Sequence, residues 1–507
     1  MTKTFQFFKP RVSINQVLRQ LKTKPAEYWE KQGEKTVLRL FHFVAETVPA
    51  YRKFLQEHKI SPEKIKTISD FKNLPLIDKN SYLRRYPYID LFPYRNLSIA
   101  TTVSATSGST GEPFYFPRGE DQDFQYEHVA EVFLRDQFEI DKKKTLAVIG
   151  FGLGIWIGGI FTYKVLNKLS QKGYQLTVVP VGTHKDLFLK SVKKFGSLYD
   201  QIILMGYPPL VKDLIDEGRD YGIRWSDYRV RILTAAEGFS EKFRDYLAKT
   251  AFLKNPVNDT INIYGTVELG TMAHETAFTN LIRKFAADDQ KVFRTLFPNA
   301  NHLPTLAQYY PYFVYFEEAD GEVVSSGYGS AIPLIRYRFP DIGGVIKFEE
   351  MIQRLKYCGV DIYTEAKKHK IAEKIMKLPF VYIYGRADYA IILRGANIYP
   401  GEIRHALDHK SLHQFVTGKF TMIKREDRNL NEYFEVNVEL KKGIKASKRL
   451  STKILSVLIE DLRQHNSEFN DQYTSNPKRT TPKVILWPYN HPKYFTSGLK
   501  QKWIKSS

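Results

Sequence analysis

Five strand-like apolar runs alternate with helical ones between Leu146 and Tyr264, and that alternation restricts the class of fold. Leu146–Ile149 leads through a glycine-rich loop into a helix carrying Ile160, Phe161, Val165, Leu166 and Leu169. Leu176–Val181 is followed by a helix around Leu187–Phe195, and Ile202–Met205 by one from about Pro209 to Tyr221. Val230–Thr234 precedes a helix from Glu241 to Lys249, and Ile261–Tyr264 closes the series. Intervals of this kind suit βα units and predict an α/β fold with a parallel sheet covered by helices. Ligands of such sheets bind beyond the carboxyl ends of the strands. Ala235-Ala236-Glu237 and Tyr264-Gly265-Thr266 then share one cleft.

The flanking stretches differ. Residues 1–95 look mainly helical, with a cap-like break at Pro75 to Asn80, and precede a core region, 96–385, that carries the alternation. After Gly385 a stretch punctuated by Gly and Pro runs to Pro400. Strands near Phe420–Lys424 and Tyr433–Leu440, a helix near Ser447–Gln464 and a strand at Val484–Pro488 follow. They predict a small α+β domain over 386–507. No internal repeat or low-complexity linker interrupts the order.

Basic residues outnumber acidic ones by 76 to 55, a formal charge of +21. That excess favours anionic partners such as nucleotides, coenzyme A or an acidic membrane surface. Basic runs such as Lys142-Lys143-Lys144 are dispersed and carry no DNA- or RNA-binding signature, so nucleic acid is not expected as a partner. Cys358 is the only cysteine, which excludes an intramolecular disulfide and a Cys-rich zinc site. A reducing, cytoplasmic compartment fits. Met1 to Val12 lacks the continuous apolar core of a secretory signal. Leu146–Tyr163 is uncharged over a length that could span a bilayer, but its five glycines make a poor isolated helix. No membrane span is expected, and peripheral association stays open.

The run Thr106-Ser107-Gly108-Ser109-Thr110-Gly111-Glu112-Pro113 interleaves hydroxyl residues with two glycines. Such a run either cradles phosphate through N–H and hydroxyl groups or forms a flexible surface turn. Further motifs follow it in order: Ile263-Tyr264-Gly265-Thr266-Val267-Glu268, then Arg338-Phe339-Pro340-Asp341, then Tyr384-Gly385-Arg386-Ala387-Asp388. Arg394-Gly395-Ala396-Asn397 and the C-terminal Gly498-Leu499-Lys500-Gln501-Lys502 complete the set. Together with Leu74-Pro75-Leu76-Ile77-Asp78-Lys79, this order resembles the adenylate-forming superfamily of acyl-CoA synthetases, luciferases and peptide-synthetase adenylation domains. Within it the chain most resembles the phenylacetate–coenzyme A ligase branch, which includes CapK-like proteins associated with capsule biosynthesis. The resemblance runs from about Leu74 to the C-terminus.

The resemblance implies a large adenylating domain and a small mobile C-terminal domain that use ATP, Mg²⁺ and coenzyme A. Ser107, Gly108, Ser109, Thr110 and Gly111 would then hold the ATP phosphates. Tyr264 would stack on adenine, in a nucleotide set that includes Ala236, Glu237, Gly265 and Thr266. Glu268 would hold Mg²⁺ and share in catalysis. Asp341 would accept from both ribose hydroxyls, Arg338 would support the ribose or the phosphates, and Arg386 would reach the nucleotide. Asp388 would be the hinge, and Gly395 would face the thiol acceptor. Lys500, or failing it Lys502, would be the catalytic lysine. Phe151 and Trp156 would contact an apolar acid or pack in the core.

The chain departs from the family pattern at three places. Phe114 stands where a lysine often follows the proline, Val267 where Ser or Thr usually precedes the glutamate, and Leu499 splits the usual Gly-Lys. The implied activity is carboxylate adenylation, giving acyl-AMP and pyrophosphate, followed by transfer to coenzyme A. Two alternatives stay open. One keeps adenylation with an amine, a sugar, a carrier thiol or a phenolic cofactor as acceptor. The other is a non-catalytic nucleotide-binding component of polysaccharide biosynthesis. The acid is not legible from these residues, and a homodimer is left open.

Overall fold

The computed structural model describes residues 13–98, 100–106, 113–300, 302–386 and 390–495, and of Arg386 the backbone alone. All five expected strands form, as Thr145–Ile149, Leu176–Pro180, Gln201–Gly206, Val230–Ala235 and Thr260–Thr266. They pair in parallel. Numbered along the chain, they lie across the sheet in the order 2-1-3-4-5. Helices Ile157–Gln171, Lys185–Phe195, Pro208–Glu217 and Glu241–Thr250 connect them. Side chains alternate between the faces. Leu146, Val148, Ile202 and Leu204 join a core with Phe188, Val211 and Phe243. Ala147, Ile149, Ile203 and Met205 join Phe133 and Val165 on the other side. Both faces are covered, as continuously apolar parallel strands require.

The sheet extends well beyond this parallel half. From Thr260–Thr266 it continues through Gly270–His274, Thr305–Tyr309, Phe380–Arg386, Leu334–Ile346, Glu322–Gly327 and Val314–Ala319, making eleven strands. Each new neighbour is antiparallel.

The expected N-terminal helices form as Ile14–Thr23, Ala26–Thr47, Pro49–Glu57 and Ile68–Lys72. Ser13 and Thr67 cap two of them by accepting from the N–H groups of Gln16 and Asp70. The break at Pro75 to Asn80 is laid along the strand Leu334–Ile346. The Ile77 N–H donates to the Arg336 carbonyl at 3.1 Å, and the Ile77 carbonyl accepts from the Arg338 N–H at 2.8 Å. Asp78 then accepts the N–H groups of Asn80 and Ser81, each at 2.7 Å. These bonds fix the backbone on both sides of Lys79.

Beyond Ala390 come the hairpin Ile391–Leu393/Ala396–Ile398 and the helix Pro400–Leu407. Strands Val416–Glu426 and Glu432–Leu440 pair antiparallel, and Lys483–Trp487 joins the second of them in parallel. Helices Lys448–His465 and Ser467–Ser475 complete this C-terminal unit, whose Ile403, Phe420, Val436 and Leu458 belong to a core of their own. Among the described residues no helix is long and apolar enough to cross a membrane.

Candidate active site

The strand order reverses between Thr145–Ile149 and Gln201–Gly206, which opens a crevice beyond their carboxyl ends. Phe151 and Tyr207 follow these two strands, and their rings meet edge to face with centroids 5.5 Å apart. Both line a cavity of about 640 Å³, within the usual size range of small-molecule sites. Trp156, Ile157 and Phe161 extend the apolar wall, and Glu268, Arg338 and Asp341 stand on a polar one.

Of the residues singled out from the sequence, Phe151, Trp156, Ala236, Gly265, Thr266, Glu268, Arg338, Asp341 and Gly395 meet at this cavity. Tyr264 supports it from behind. Its hydroxyl donates to Oδ2 of Asp341 at 2.7 Å, and its ring stacks on Phe316. Arg338 is held by Glu322, with Nε 2.6 Å from the carboxylate. Ser107, Gly108, Ser109, Thr110, Gly111, Asp388, Lys500 and Lys502 lie outside the described residues, as does the side chain of Arg386. The two described ends of the hydroxyl-glycine run are paired to each other. Thr106 lines the cavity and donates its N–H to the Phe114 carbonyl, while the Phe114 N–H donates to Oγ1 of Thr106, each at 3.0 Å.

The departure at Phe114 has a physical account. The Phe114 ring packs against Tyr88 and Phe116, with centroids 5.6 and 5.0 Å apart, so aromatic packing occupies that position. A cation reaches the site from another element: Nζ of Lys79 lies 3.3 Å from Oγ1 of Thr106 and lines the cavity. Burial lowers the Lys79 pKa, and the carboxylates of Glu268 and Glu468 oppose that shift. Burial first, then the negative charge of Glu268, hold the Tyr337 hydroxyl protonated far above the ordinary tyrosine value. Val267 contributes through its backbone. Its carbonyl accepts from the guanidinium of the fully buried Arg118, which also donates to the Gly329 carbonyl at 3.1 Å. Arg118 therefore fixes the backbone that carries Glu268.

The C-terminal unit closes the cavity. Arg394 and Gly395 have φ of +53° and +86° and form the two-residue turn of the hairpin, the primed geometry that such turns favour. The Gly395 N–H donates to the Glu237 carboxylate. Lys424 Nζ lies 2.9 Å from Glu237 and 2.9 Å from Glu432. Glu237 is thus turned toward the C-terminal unit and is not part of the cavity wall. A second cluster joins Arg394 to Asp213 at 2.9 Å, with Arg479 at 3.4 Å on the other carboxylate oxygen. At both clusters the large unit offers buried carboxylates and the C-terminal unit offers cations.

A Cβ placed on Gly395 would stand 2.5 Å from the Tyr207 ring. Gly395→Ala also forces an L residue to positive φ, at a cost of about 1–2 kcal/mol before any contact is counted. The variant is expected to undock the hairpin. Hydrogen exchange should then quicken in Ile391–Leu393 and Ala396–Ile398, and unchanged protection there would contradict the docking.

No protein-family profile matches the chain. It is 23% identical over 398 residues to the phenylacetate-coenzyme A ligase of Thermus thermophilus, covering 76% of this chain and 77% of that relative. The protein of the same name from Pseudomonas putida is 22% identical over 361 residues, with coverage of 71% and 70%. A 2-hydroxyisobutyryl-CoA ligase solved with 2-HIB-AMP and CoA in the thioesterification state superposes with a TM-score of 0.65 at 16% identity. The alignment covers 100% of this chain and 96% of that one. With the same coverage, that ligase in the postadenylation state with R3-HIB-AMP gives 0.54 at 15% identity. The chain has the fold of these adenylate-forming coenzyme A ligases and is a sequence relative of the phenylacetate-coenzyme A ligases.

Proposed function

We propose that this chain joins a carboxylic acid to coenzyme A through an acyl-adenylate made from ATP. The observation that carries this reading is the convergence of Lys79, Glu268 and Asp341, from three separate motifs, on one cavity that Gly395 closes. In the first step a carboxylate oxygen attacks the α-phosphorus, and the bond to the β-phosphate breaks with loss of pyrophosphate. In the second the coenzyme A sulfur attacks the acyl carbon, its proton is lost to solvent, and AMP leaves with the carbon–oxygen bond electrons. Both partners of the first step are anionic, so catalysis rests on positioning and charge neutralisation.

Asp341, oriented by Tyr264, receives the ribose hydroxyls. Lys79 and the Ser107–Gly111 run take the phosphates, and Arg386 reaches the nucleotide. Glu268, which shares the cavity wall with Tyr337, offers the carboxylate oxygen that suits a hard divalent cation. Mg²⁺ bound there would neutralise phosphate charge. Phe151 and Trp156 form one wall for an apolar acyl group. Lys500, with Lys502 as the alternative, is the proposed lysine of the adenylation step. The unit 386–507 turns about Asp388 between the two steps. The docked Gly395 hairpin is the acceptor-facing arrangement, and the higher TM-score against the thioesterification state supports that reading. Both nucleotide substrates are cytoplasmic, and the reaction is placed there.

Titration calorimetry tests the nucleotide site. Wild-type protein should bind Mg-ATP, and Asp341→Ala should bind it more weakly by about 1.5–3 kcal/mol, the usual loss for a charged hydrogen-bond partner. Absence of Mg-ATP binding by the wild type would overturn the proposal.

A further inference from the structure

The C-terminal unit carries a second cluster of ligating groups that the proposed reaction does not use. His405 lies in the last turn of Pro400–Leu407, and Asp461 and His465 stand one turn apart at the end of Lys448–His465. Oδ1 of Asp461 is 2.8 Å from Nδ1 of His405 and 3.3 Å from Nδ1 of His465. The two imidazole rings meet with centroids 4.8 Å apart. One ligand atom from each of the three residues lies within 4.8 Å of the other two. Oδ2 of Asp461 is buried and has no hydrogen-bond partner among the described residues.

We propose that His405, Asp461 and His465 bind a divalent transition-metal ion of the zinc class, which clamps the two helices together. Two imidazoles and one carboxylate make a donor set suited to zinc and poorly suited to magnesium or calcium. A tetrahedral ion with bonds of about 2.0–2.2 Å needs ligand atoms roughly 3.3–3.5 Å apart. Nδ1 of His465 donates to the Asp461 carbonyl at 3.0 Å, so His465 would ligate through Nε2, and the 2.8 Å between Oδ1 and Nδ1 of His405 would open by about half an ångström to admit the ion. Both histidines end helices, where the aligned carbonyl dipoles favour positive charge. Their side chains are 64% and 45% exposed, which leaves an entry path and room for a water ligand.

The clamp has a consequence at the cavity. Asn466, the residue after His465, donates from Nδ2 to the Asn397 carbonyl at 2.8 Å and to the Glu402 carboxylate at 3.0 Å. Asn397 lines the cavity and Glu402 belongs to the same helix as His405. A metal at this seam braces the platform under the Gly395 hairpin.

The test uses the full chain stripped of metal with a chelator. Zinc is then titrated in competition with a chromophoric chelator and counted by elemental analysis. One equivalent should bind, excess Mg²⁺ should not displace it, and zinc should raise the melting temperature. The double variant His405→Ala, His465→Ala should bind zinc weaker by about two powers of ten and show no thermal shift. Its circular dichroism in chelator should match the wild type, and His413→Ala should keep the site. Failure of the wild type to bind zinc, or equal affinity in the double variant, would overturn the proposal. Neither result depends on whether the chain forms acyl-adenylates.

Discussion

Lys79→Ala is expected to slow acid-dependent ATP–pyrophosphate exchange by about 10²–10³-fold, the usual effect of removing one preorganised donor from a developing anion. Lys79 is part-buried beside Thr106, in the same cavity as Glu268, and the backbone around it is pinned by Asp78 and by the strand Leu334–Ile346. The fold should survive its loss, which an unchanged melting temperature would verify. Mg-ATP should still bind through Asp341, so the defect should fall mainly on the rate. Exchange at the wild-type rate would remove Lys79 from the mechanism. The companion variant Phe114→Lys should not restore the rate, because that position packs between Tyr88 and Phe116.

Lys424→Ala should act on the second step instead. It leaves the buried Glu237 carboxylate facing Glu432 with no cation between them. Breaking a buried pair costs about 3–5 kcal/mol. Lys424 keeps 30% of its side chain in solvent, so about 2 kcal/mol is the better figure, or roughly a 30-fold loss of the docked arrangement. Thioester formation from supplied acyl-adenylate should fall by that factor, with pyrophosphate exchange spared. An equal loss in both steps would instead mean a damaged fold.

The same cluster makes docking sensitive to pH. Burial first, then repulsion from Glu237, push the Glu432 pKa from 4.5 up to about 8, against the pull of Lys424. The docked state therefore holds a proton that the undocked state releases in that interval. Docking weakens as pH rises from about 4.5 toward about 8 and levels off above it. Glu432→Gln should flatten this dependence in the thioester step, and a profile unchanged by that variant would exclude the cluster as its source.

How much of this was legible in the sequence follows from the range of each signal. The parallel strands declare themselves because they are short apolar runs, four of them followed by a helix, and Thr145–Ile149 and Gln201–Gly206 are buried throughout. The antiparallel half does not, since strands such as Glu322–Gly327 and Thr305–Tyr309 mix Ser, Thr, Gln and Gly with apolar residues. Those polar side chains find partners only once the sheet forms: Gln308 donates to the Met376 and Leu378 carbonyls. The motifs marked the cavity because they cluster at strand ends. Lys79 ends a recognisable motif, but nothing local pairs it with Thr106, since the bonds of Ile77 to the strand Leu334–Ile346 bring it there. Glu237 sits in a nucleotide-type motif, yet its carboxylate serves the C-terminal unit, and no local pattern marks Lys424 as its counterpart or Arg394 as that of Asp213. Interface charges of this kind are set by tertiary docking alone.

Acid-dependent ATP–pyrophosphate exchange tests the central claim most directly, run across aryl, fatty, amino and sugar acids. The account predicts exchange with at least one apolar acid, acyl-AMP as the product without coenzyme A, and an acyl-CoA thioester with it. Mg-ATP binding without exchange from any class of acid would contradict it.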